Sequence, residues 1–318
     1  MSPPKEIAMA LHRLIDMEVG VPDPALLDDF YREIGLSGGD GQWGGAEHPD
    51  QIRVVEAPYR QLRSMRVACE SEEDLNRAGK GLDDLGIKYE IGDGKLRLTD
   101  PINRWSVTVE PTEVADIQTQ PARTRNRPGN RSRVGVRAEA IVEEAPRPPR
   151  RLGHIVVGSP DPLRTTPIYQ ALGFRISDVV GGGLATFMRC SPDHHNLLVA
   201  PGRVPYLNHY ALEHDDFDSL ARAASLYLRN HEDDRQIAGP GRHQIGGNEF
   251  WYMLDPSGNF FEFFSDMDRI DDDDAWEIGT DWEPTDSWSL WGERRQPEVF
   301  FSPVDMDEIV AGWEKAQG

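Results

Sequence analysis

The side chains best suited to chemistry are five histidines between residues 154 and 243. Each lies inside, or at the edge of, a segment whose β-branched, aromatic and apolar residues predict a strand. They are His154, His194, His195, His209 and His243. The other four histidines lie in polar or turn-like segments typical of the surface; they are His12, His48, His214 and His231. One strand histidine alone is typical of a satisfied core residue, whereas five together indicate a functional site.

One carboxylate, Glu262, stands among four phenylalanines in the predicted strand 260–264. A glutamate is seldom fully buried unless it is paired or binds a metal ion. The preceding segment, Asp255-Pro-Ser-Gly258, predicts a three-residue hairpin loop with a bulge and glycine in the left-handed region. In that register Tyr252 lies opposite Glu262 on the same face, and His243 lies just upstream. The hairpin taken alone still favours a solvent-facing Glu262.

An internal repeat divides the chain into two modules. Val19-Gly-Val-Pro-Asp-Pro24 recurs 138 residues later as Val157-Gly-Ser-Pro-Asp-Pro162, and a helical stretch follows each copy. Farther on, Thr99-Asp-Pro echoes Leu254-Asp-Pro. A period of this length indicates a duplicated module rather than a solenoid.

The repeat also gives an internal comparison for the candidate ligands. Sliding the first module under the second places Asp16 under His154, Arg66 under His209 and Val107 under Glu262. Only the second module then has two imidazoles and a carboxylate at corresponding positions. That donor set, with positions left open, suits a divalent metal that must also bind substrate or dioxygen. A closed cysteine-rich zinc site is excluded because the chain has only two cysteines.

The alternation of apolar runs and turns predicts an α+β fold with mostly antiparallel sheet. Each module reads as a strand, a helix and further strands, and then the same order again. In the first module we expect strands at 14–19, 51–56, 62–68, 95–99 and 106–110. In the second we expect them at 153–158, 184–189, 196–200, 208–213, 250–254 and 260–265.

Composition divides the chain into a metal-free module (1–111), a linker (112–151), a metal-binding module (152–265) and an extension (266–318). The linker is rich in arginine and proline, and we interpret it as solvated or laid across the protein's own acidic surface. The extension is acidic but has five of the eight tryptophans. A disordered acidic tail would not carry so many aromatic residues, so we expect an ordered segment packed near the site.

The overall charge limits the range of partners. A formal net charge of -21 over 318 residues argues against nucleic acid or an anionic membrane as a main partner, although the basic linker keeps a nucleic-acid module as the last alternative. The sequence shows neither a signal-peptide pattern nor an apolar run long enough to cross a membrane. We therefore expect a cytoplasmic protein.

The second module resembles the vicinal oxygen chelate superfamily and, within it, the two-domain type I extradiol ring-cleaving dioxygenases. The features that carry the resemblance are Gly-His-Ile-Val-Val at His154, His195-Asn-Leu, Leu-Asn-His-Tyr at His209, Gly-Pro-Gly-Arg-His at His243, and Tyr252 to Glu262. Residues 12–111 resemble the degenerate first module. The extension, with Trp288-Ser-Leu-Trp-Gly292, looks like that of homoprotocatechuate-type members. The resemblance implies paired βαβββ units in each module.

The resemblance also implies roles for individual residues. His154, His209 and Glu262 would hold iron(II), or manganese(II) in some members, with a catecholic substrate and dioxygen as partners. His195, preferred over His194, would be the acid–base residue beside the dioxygen. His243 and Tyr252 would hydrogen-bond the substrate's oxygens. A homo-oligomer is expected as well.

Two departures bear on the substrate. The arginine pair that homoprotocatechuate-type members use is missing at Thr285-Asp-Ser-Trp288, and Val156 replaces the family's asparagine. These departures weigh against a carboxylated catechol as the substrate, but not against catechol cleavage itself. Arg242 could still bind an anionic group of the substrate, and Trp288 could line the site. The alternatives are another metal-dependent reaction on the same fold, such as isomerisation or hydroquinone cleavage, and a non-catalytic binder of an aromatic metabolite.

Overall fold

The chain repeats one order of elements four times: a strand, a helix and three strands. The structure is a computed structural model that describes residues 11–114, 121–142, 147–231, 235–283 and 287–317. The first unit comprises β1 (Leu11–Val21), α1 (Pro24–Glu33), β2 (Ser37–Gly39), β3 (Gln42–Gly44) and β4 (Ile52–Glu56). The second comprises β5 (Gln61–Cys69), α2 (Glu72–Asp84), β6 (Glu90–Gly92), β7 (Lys95–Thr99) and β8 (Ser106–Pro111).

After the short helix α3 (Glu139–Val142), the order recurs in the second module. The third unit comprises β9 (Leu152–Ser159), α4 (Pro162–Leu172), β10 (Arg175–Val180), β11 (Ala185–Arg189) and β12 (Leu197–Pro201). The fourth comprises β13 (Tyr206–Glu213), α5 (Phe217–His231), β14 (Gln236–His243), β15 (Glu249–Leu254) and β16 (Phe260–Ser265). The extension adds β17 (Gly279–Trp282), β18 (Ser289–Trp291), a 3-10 helix (Glu298–Phe300) and α6 (Met306–Gln317).

Each module forms one mixed sheet. The strand order is β2-β3-β4-β1-β5-β8-β7-β6 in the first sheet and β17-β10-β11-β12-β9-β13-β16-β15-β14-β18 in the second. The predicted α+β fold of paired βαβββ units with a C-terminal extension is confirmed. The sequence did not predict β2, β3, β6, β10, β14, β17 or β18. Most of these are three or four residues long, and β14 contains Gly-Pro-Gly, so they lack a readable two-residue period.

The repeated Val-Gly-x-Pro-Asp-Pro motif ends a strand and starts a helix in both modules. Asp23 accepts a hydrogen bond from the backbone of Ala25 at 3.1 Å, and Asp161 accepts one from Arg164 at 3.1 Å. The proline after each aspartate occupies the first helical turn, where its missing N–H costs nothing. Gly173, with φ of 109°, then ends α4 in the left-handed conformation that glycine adopts most readily.

The hairpin β15–β16 has the register that its turn predicts. Tyr252 pairs with Glu262 across the two strands. The Asp255 amide donates to the Asn259 carbonyl at 2.9 Å, which leaves three loop residues between them. Gly258 has φ of 85°, so the left-handed position that required glycine is occupied by glycine. The predicted loop length and the Tyr252–Glu262 pairing are both confirmed.

Strand register corrects part of the comparison between modules. Asp16 does correspond to His154, because they face Arg66 and Ala211 at equivalent rungs of the central strand pair. His209 corresponds to Ser64 rather than to Arg66.

Glu262 corresponds to Thr108 rather than to Val107. The cause is a turn that is one residue longer in the first module, where the Asp100 amide donates to the Trp105 carbonyl. The conclusion from the comparison survives, because the corrected set of Asp16, Ser64 and Thr108 contains no imidazole. In the first module Arg66 instead forms an ion pair with Asp16.

The arginine-rich linker lies against acidic residues of both modules where it is described. Arg123 bonds to Asp216 at 3.0 Å, and Arg150 bonds to Glu47 at 2.6 Å. These contacts agree with a linker laid across the protein's own acidic surface. The boundaries drawn at 111, 151 and 265 stay a prediction.

The described part of the extension packs against both modules. β17 pairs with β10, and β18 pairs with β14. Helix α6 contributes Met306 and Ile309 to an apolar cluster with Tyr59 and Tyr206. Among the described residues, no helix combines the length and the apolar character needed to span a bilayer.

His214 was expected at the surface and is instead buried, with 2% of its surface exposed. It directly follows β13, and its ring packs 4.6 Å from that of Phe263. Neither ring nitrogen has a hydrogen-bond partner among the described residues. Burial lowers the pKa of His214 to about 3. His12, His48 and His231 are half-buried.

This burial predicts a specific acid sensitivity. The unfolded chain binds a proton at His214 near pH 6.5, while the folded chain does not. The free energy of unfolding is therefore undiminished by His214 above pH 6.5 and decreases progressively below it. Between pH 6.5 and 5 the loss is about 2 kcal/mol. Between these two pH values we expect the free energy of unfolding of His214→Leu to fall less than that of the wild type, by the same amount. Urea titration at both pH values is the measurement. An equal loss in both proteins would contradict the assignment.

Candidate metal centre and active site

Three potential metal ligands converge from adjacent strands of the second sheet. His154 comes from β9, His209 from β13 and Glu262 from β16, which are neighbours in the strand order. Glu262 Oε2 lies 3.0 Å from His154 Nε2 and 3.4 Å from His209 Nε2. One ligand atom from each residue lies within 4.8 Å of the others. Strands more than fifty residues apart in sequence thus place three donors around one point.

The donor atoms fit a divalent cation. Glu262 has no exposed surface, and His209 Nε2 has no hydrogen-bond partner of good geometry among the described residues. Burial lowers the pKa of His209 to about 4, against the pull of nearby Glu262. Burial raises the pKa of Glu262, but His154 and His209 outweigh it and hold that pKa below its ordinary value. Neutral imidazoles and an ionised carboxylate are the forms that bind metal.

Two asparagines support these ligands, and the sequence reasoning did not identify either. Asn248 donates from Nδ2 to Glu262 Oε1 at 2.9 Å. The Asn208 side-chain oxygen accepts from His209 Nδ1 at 2.9 Å, which directs Nε2 toward the other ligands. Asn208 in turn donates to the Phe300 carbonyl at 2.6 Å. Asn208 directly precedes a predicted ligand, which was the one available signal; Asn248 had none.

His243 and Tyr252 form a hydrogen-bonded pair beside the three ligands. His243 Nδ1 donates to the Trp288 carbonyl at 2.7 Å, so Nε2 of the neutral ring is free to accept from the Tyr252 hydroxyl at 2.8 Å. Burial lowers the pKa of His243 and raises that of Tyr252 well above its ordinary value. Both groups are therefore neutral near pH 7 and can rearrange around a bound oxygen atom.

His195, and not His194, faces the cavity beside the ligands. Its ring centroid lies 4.3 Å from that of His154. Burial, followed by the neighbouring His154 ring, lowers the pKa of His195 well below its ordinary value. His194 points the other way, with Nε2 2.7 Å from Asp178.

The cavity in front of His209 is apolar and has a volume of about 280 Å³. His195, His243, Tyr252 and Trp288 contribute to its walls. Most of the remaining wall is hydrocarbon; examples are Val156, Phe187, Leu198, Ile245, Phe300 and Phe301. Among the described residues that line it, none is Lys, Arg, Asp or Glu.

The structure places the two remaining candidates differently. Trp288 is buried and stacks on Tyr252 with ring centroids 5.8 Å apart. Arg242 does not reach the cavity, because its guanidinium bonds to Glu249, to Asp266 and to the Gly247 carbonyl. Neighbouring strand residues point to opposite faces, so His243 can face the cavity only if Arg242 faces away. Thr285 and Asp286, where an arginine pair was sought, lie outside the described residues.

Comparison with known proteins gives matches over most of the chain. Residues 151–263 match the model of the Glyoxalase/Bleomycin resistance protein/Dioxygenase superfamily. Metapyrocatechase 2 from Cupriavidus necator is 34% identical over 310 residues, which cover 92% of this chain and 92% of that protein. The manganese-dependent 2,3-dihydroxybiphenyl 1,2-dioxygenase from Geobacillus genomosp. 3 is 31% identical over 169 residues, 49% of each chain.

Solved structures extend the likeness to the fold. The crystal structure of homoprotocatechuate 2,3-dioxygenase from Arthrobacter globiformis superposes with a TM-score of 0.71. The match covers 96% of both chains at 19% identity.

Proposed function

Because the chain belongs to the extradiol dioxygenases of the vicinal oxygen chelate superfamily, we propose that it cleaves the ring of a catechol and incorporates dioxygen. The bond that breaks is a carbon–carbon bond next to the two hydroxyl-bearing carbons. The observation that carries this proposal is the buried set of His154, His209 and Glu262 behind an apolar cavity. His195, His243 and Tyr252 complete that cavity with groups that can exchange protons and hydrogen bonds.

His154, His209 and Glu262 would hold the metal, and we propose iron(II) with manganese(II) as the alternative. A divalent ion bound there supplies Lewis acidity and open positions for a catechol and dioxygen. The three donors would hold such an ion next to the cavity, since His209 also lines the cavity. Asn208 and Asn248 keep two of the donors oriented before any ligand arrives.

The other polar residues act on the substrate. The Tyr252 hydroxyl and His243 Nε2, which bond to each other at 2.8 Å, can each turn to a substrate oxygen and stabilise negative charge as it develops. His195 lines the same cavity, next to His154, and can accept a proton and return it. Trp288 and Phe300 are buried in the cavity wall, and a wall that excludes water strengthens these interactions.

The cavity also indicates the class of catechol. An engineered apolar cavity of about 150 Å³ holds one benzene ring, and this cavity is 280 Å³. The remaining space suits an apolar substituent roughly as large as a second ring. A buried carboxylate without a cation would cost several kcal/mol. We therefore propose an uncharged catechol with an alkyl or aryl substituent.

The experiment is anaerobic loading with iron(II), addition of a phenyl- or alkylcatechol, and then admission of air. Oxygen uptake with a yellow ring-fission product is the expected result. Tight catechol binding without oxygen uptake would point to a non-catalytic binder. A protein that binds no stoichiometric iron or manganese would contradict the metal centre itself.

The setting of the enzyme is also proposed. Cys69 and Cys190 are buried and unpaired, as suits the reducing cytoplasm. Assembly into a homo-oligomer stays a prediction that light scattering of the purified protein would test.

Removing the Tyr252 hydroxyl should slow the reaction without disturbing the metal. We expect Tyr252→Phe to lower kcat by about 100-fold, the cost of one donor aimed at developing charge. Tyr169→Phe is the matched control, since Tyr169 is also buried but does not line the cavity, and its hydroxyl bonds to Trp105 and Asp100. Steady-state oxygen uptake per bound metal ion is the measurement. Equal losses in both variants would contradict a specific role for Tyr252.

A further inference from the structure

Asp178, His194 and His195 form a continuous hydrogen-bonded chain that ends at the cavity. Asp178 Oδ2 lies 2.7 Å from His194 Nε2, and His194 Nδ1 lies 3.1 Å from His195 Nδ1. All three side chains are buried. Phe187 packs against both imidazole rings, with ring centroids 5.7 and 5.1 Å away. Neither Asp178 nor His194 has a part in the function proposed above.

The polarity of this chain follows from the groups that form it. An ionised carboxylate only accepts, so His194 Nε2 must carry a hydrogen. Nδ1 of a neutral His194 then has a lone pair and accepts from His195 Nδ1. This bond is the one hydrogen bond that His195 makes within the described part of the chain. Its Nε2 therefore remains without a hydrogen and is available to a ligand in the cavity.

The C-terminal extension holds Asp178 in the orientation that this requires. Asp178 Oδ1 accepts from the Gly279 amide at 2.8 Å and from Trp282 Nε1 at 2.9 Å. Those two donors occupy one carboxylate oxygen and leave the other for His194. Trp276 adds a ring contact with His194 at 5.5 Å and donates to the Ser177 carbonyl at 2.9 Å. Part of the tryptophan-rich extension thus serves to fix one carboxylate.

We propose that Asp178 and His194 are positioning residues, which hold His195 in the tautomer that has hydrogen on Nδ1 and a bare Nε2 toward the cavity. The consequence for catalysis rests on the proposed dioxygenase function, whereas the tautomer itself does not. A ring held in this form can accept a proton from a bound catechol without first rotating or exchanging hydrogens. The extension would then be part of the active site at a distance, through a single carboxylate.

Asp178→Asn is the direct test because it reverses the polarity and keeps the shape. The oxygen of the substituted amide can still accept from Gly279 and Trp282, so its NH₂ group must face His194. His194 Nε2 then becomes the acceptor, and both imidazoles change tautomer. In the zinc-loaded, ¹⁵N-histidine-labelled full chain, we expect NMR to show bare Nε2 on His195 in the wild type and bare Nδ1 in the variant. Zinc is chosen because it is diamagnetic.

Kinetics give the second readout. Partners of this kind typically contribute 10- to 100-fold to activity, and we expect kcat of the iron-loaded variant to fall by about that factor with KM and iron content unchanged. Asp273→Asn is the matched control: it makes the same chemical change elsewhere in the extension, at a carboxylate that pairs with Arg175 and Arg189 and not with His194, so both readouts should stay at the wild-type values.

Unchanged tautomers in Asp178→Asn would overturn the proposal, as would a loss of kcat that merely follows lost iron or a lowered melting temperature. A wild-type enzyme that cleaves no catechol would defeat the proposed function, while the NMR result would still decide the tautomer.

Discussion

Replacing Glu262 by glutamine is expected to lower kcat for ring cleavage by at least about 1,000-fold and to abolish tight iron binding. Glutamine keeps the shape of the side chain but removes the one negative charge among the three ligands. A bound metal ion contributes several kcal/mol to transition-state stabilisation, and each 1.36 kcal/mol corresponds to a factor of ten in rate. Oxygen uptake and metal content per chain are the measurements.

Stability measurements separate this effect from misfolding. Glu262 is fully buried, and His154 and His209 hold its pKa below the ordinary value, so the folded chain without metal favours the ionised carboxylate. We therefore expect the metal-free variant to melt lower than the metal-free wild type, but still in one cooperative transition. Iron at 100 times its dissociation constant should add about 2.7 kcal/mol to the wild type and nothing to the variant.

Glu249→Gln is the matched control on the same hairpin. Glu249 bonds to Arg242 and Ser265 and does not reach the cavity. Its replacement should leave iron binding and kcat near the wild-type values. If Glu262→Gln retains full iron content and activity, Glu262 is not a metal ligand.

The hairpin that carries Glu262 shows what a sequence can determine. Its turn residues restrict the loop to one backbone path, and that path sets the register of Tyr252 against Glu262. Because the side-chain period of a strand is two, a correct register also decides which residues share a face. The α+β repeat was predictable for the same reason, since turns and apolar runs recur in both modules.

The module comparison shows where such reasoning fails. The turn after Asp100 has one extra residue, so the sequence comparison matched Glu262 with Val107, whereas the equivalent position in the first module is Thr108. Insertions of this size leave no trace in the apolar pattern, and only the hydrogen-bonded register reveals them. The prediction that His214 lies at the surface was wrong for a different reason. Its neighbours in sequence are charged, but the pairing of β13 with β16 buries it.

Contacts between distant segments could not be predicted from the sequence. Asn248 supports Glu262, and Asp178 bonds to His194, yet neither residue type nor spacing distinguishes them from other polar residues. The cavity wall likewise depends on Phe300, which tertiary packing brings beside Tyr252 with ring centroids 4.8 Å apart. Sequence patterns predict individual strands well, but they do not predict which distant loop packs over the end of a strand.

The charge of the cavity wall leads to the second large expected effect, which concerns substrate choice. An isopropyl group and a carboxylate have nearly the same shape, so 4-isopropylcatechol and 3,4-dihydroxybenzoate differ mainly in charge. The described lining of the cavity holds no cation to meet that charge. With several kcal/mol lost on burying an unpaired carboxylate, we expect kcat/KM to favour the apolar catechol by at least about 1,000-fold.

Gln296 offers a way to reverse part of that preference. It is half-buried, uncharged and part of the cavity wall. Gln296→Arg adds a guanidinium that can bond a carboxylate with two parallel hydrogen bonds. We expect kcat/KM for 3,4-dihydroxybenzoate to rise by about 10-fold, a gain of about 1.4 kcal/mol, while that for 4-isopropylcatechol falls slightly.

Gln296→Glu is the matched control, because it alters the same position with the opposite charge. It should lower kcat/KM for the carboxylated substrate further and leave the apolar substrate close to its wild-type value. The ratio of the two kcat/KM values cancels differences in metal loading between preparations, so it reports on the wall alone. A wild-type enzyme that already prefers 3,4-dihydroxybenzoate would show that a cation outside the described lining reaches the cavity, and the proposed substrate class would then be wrong.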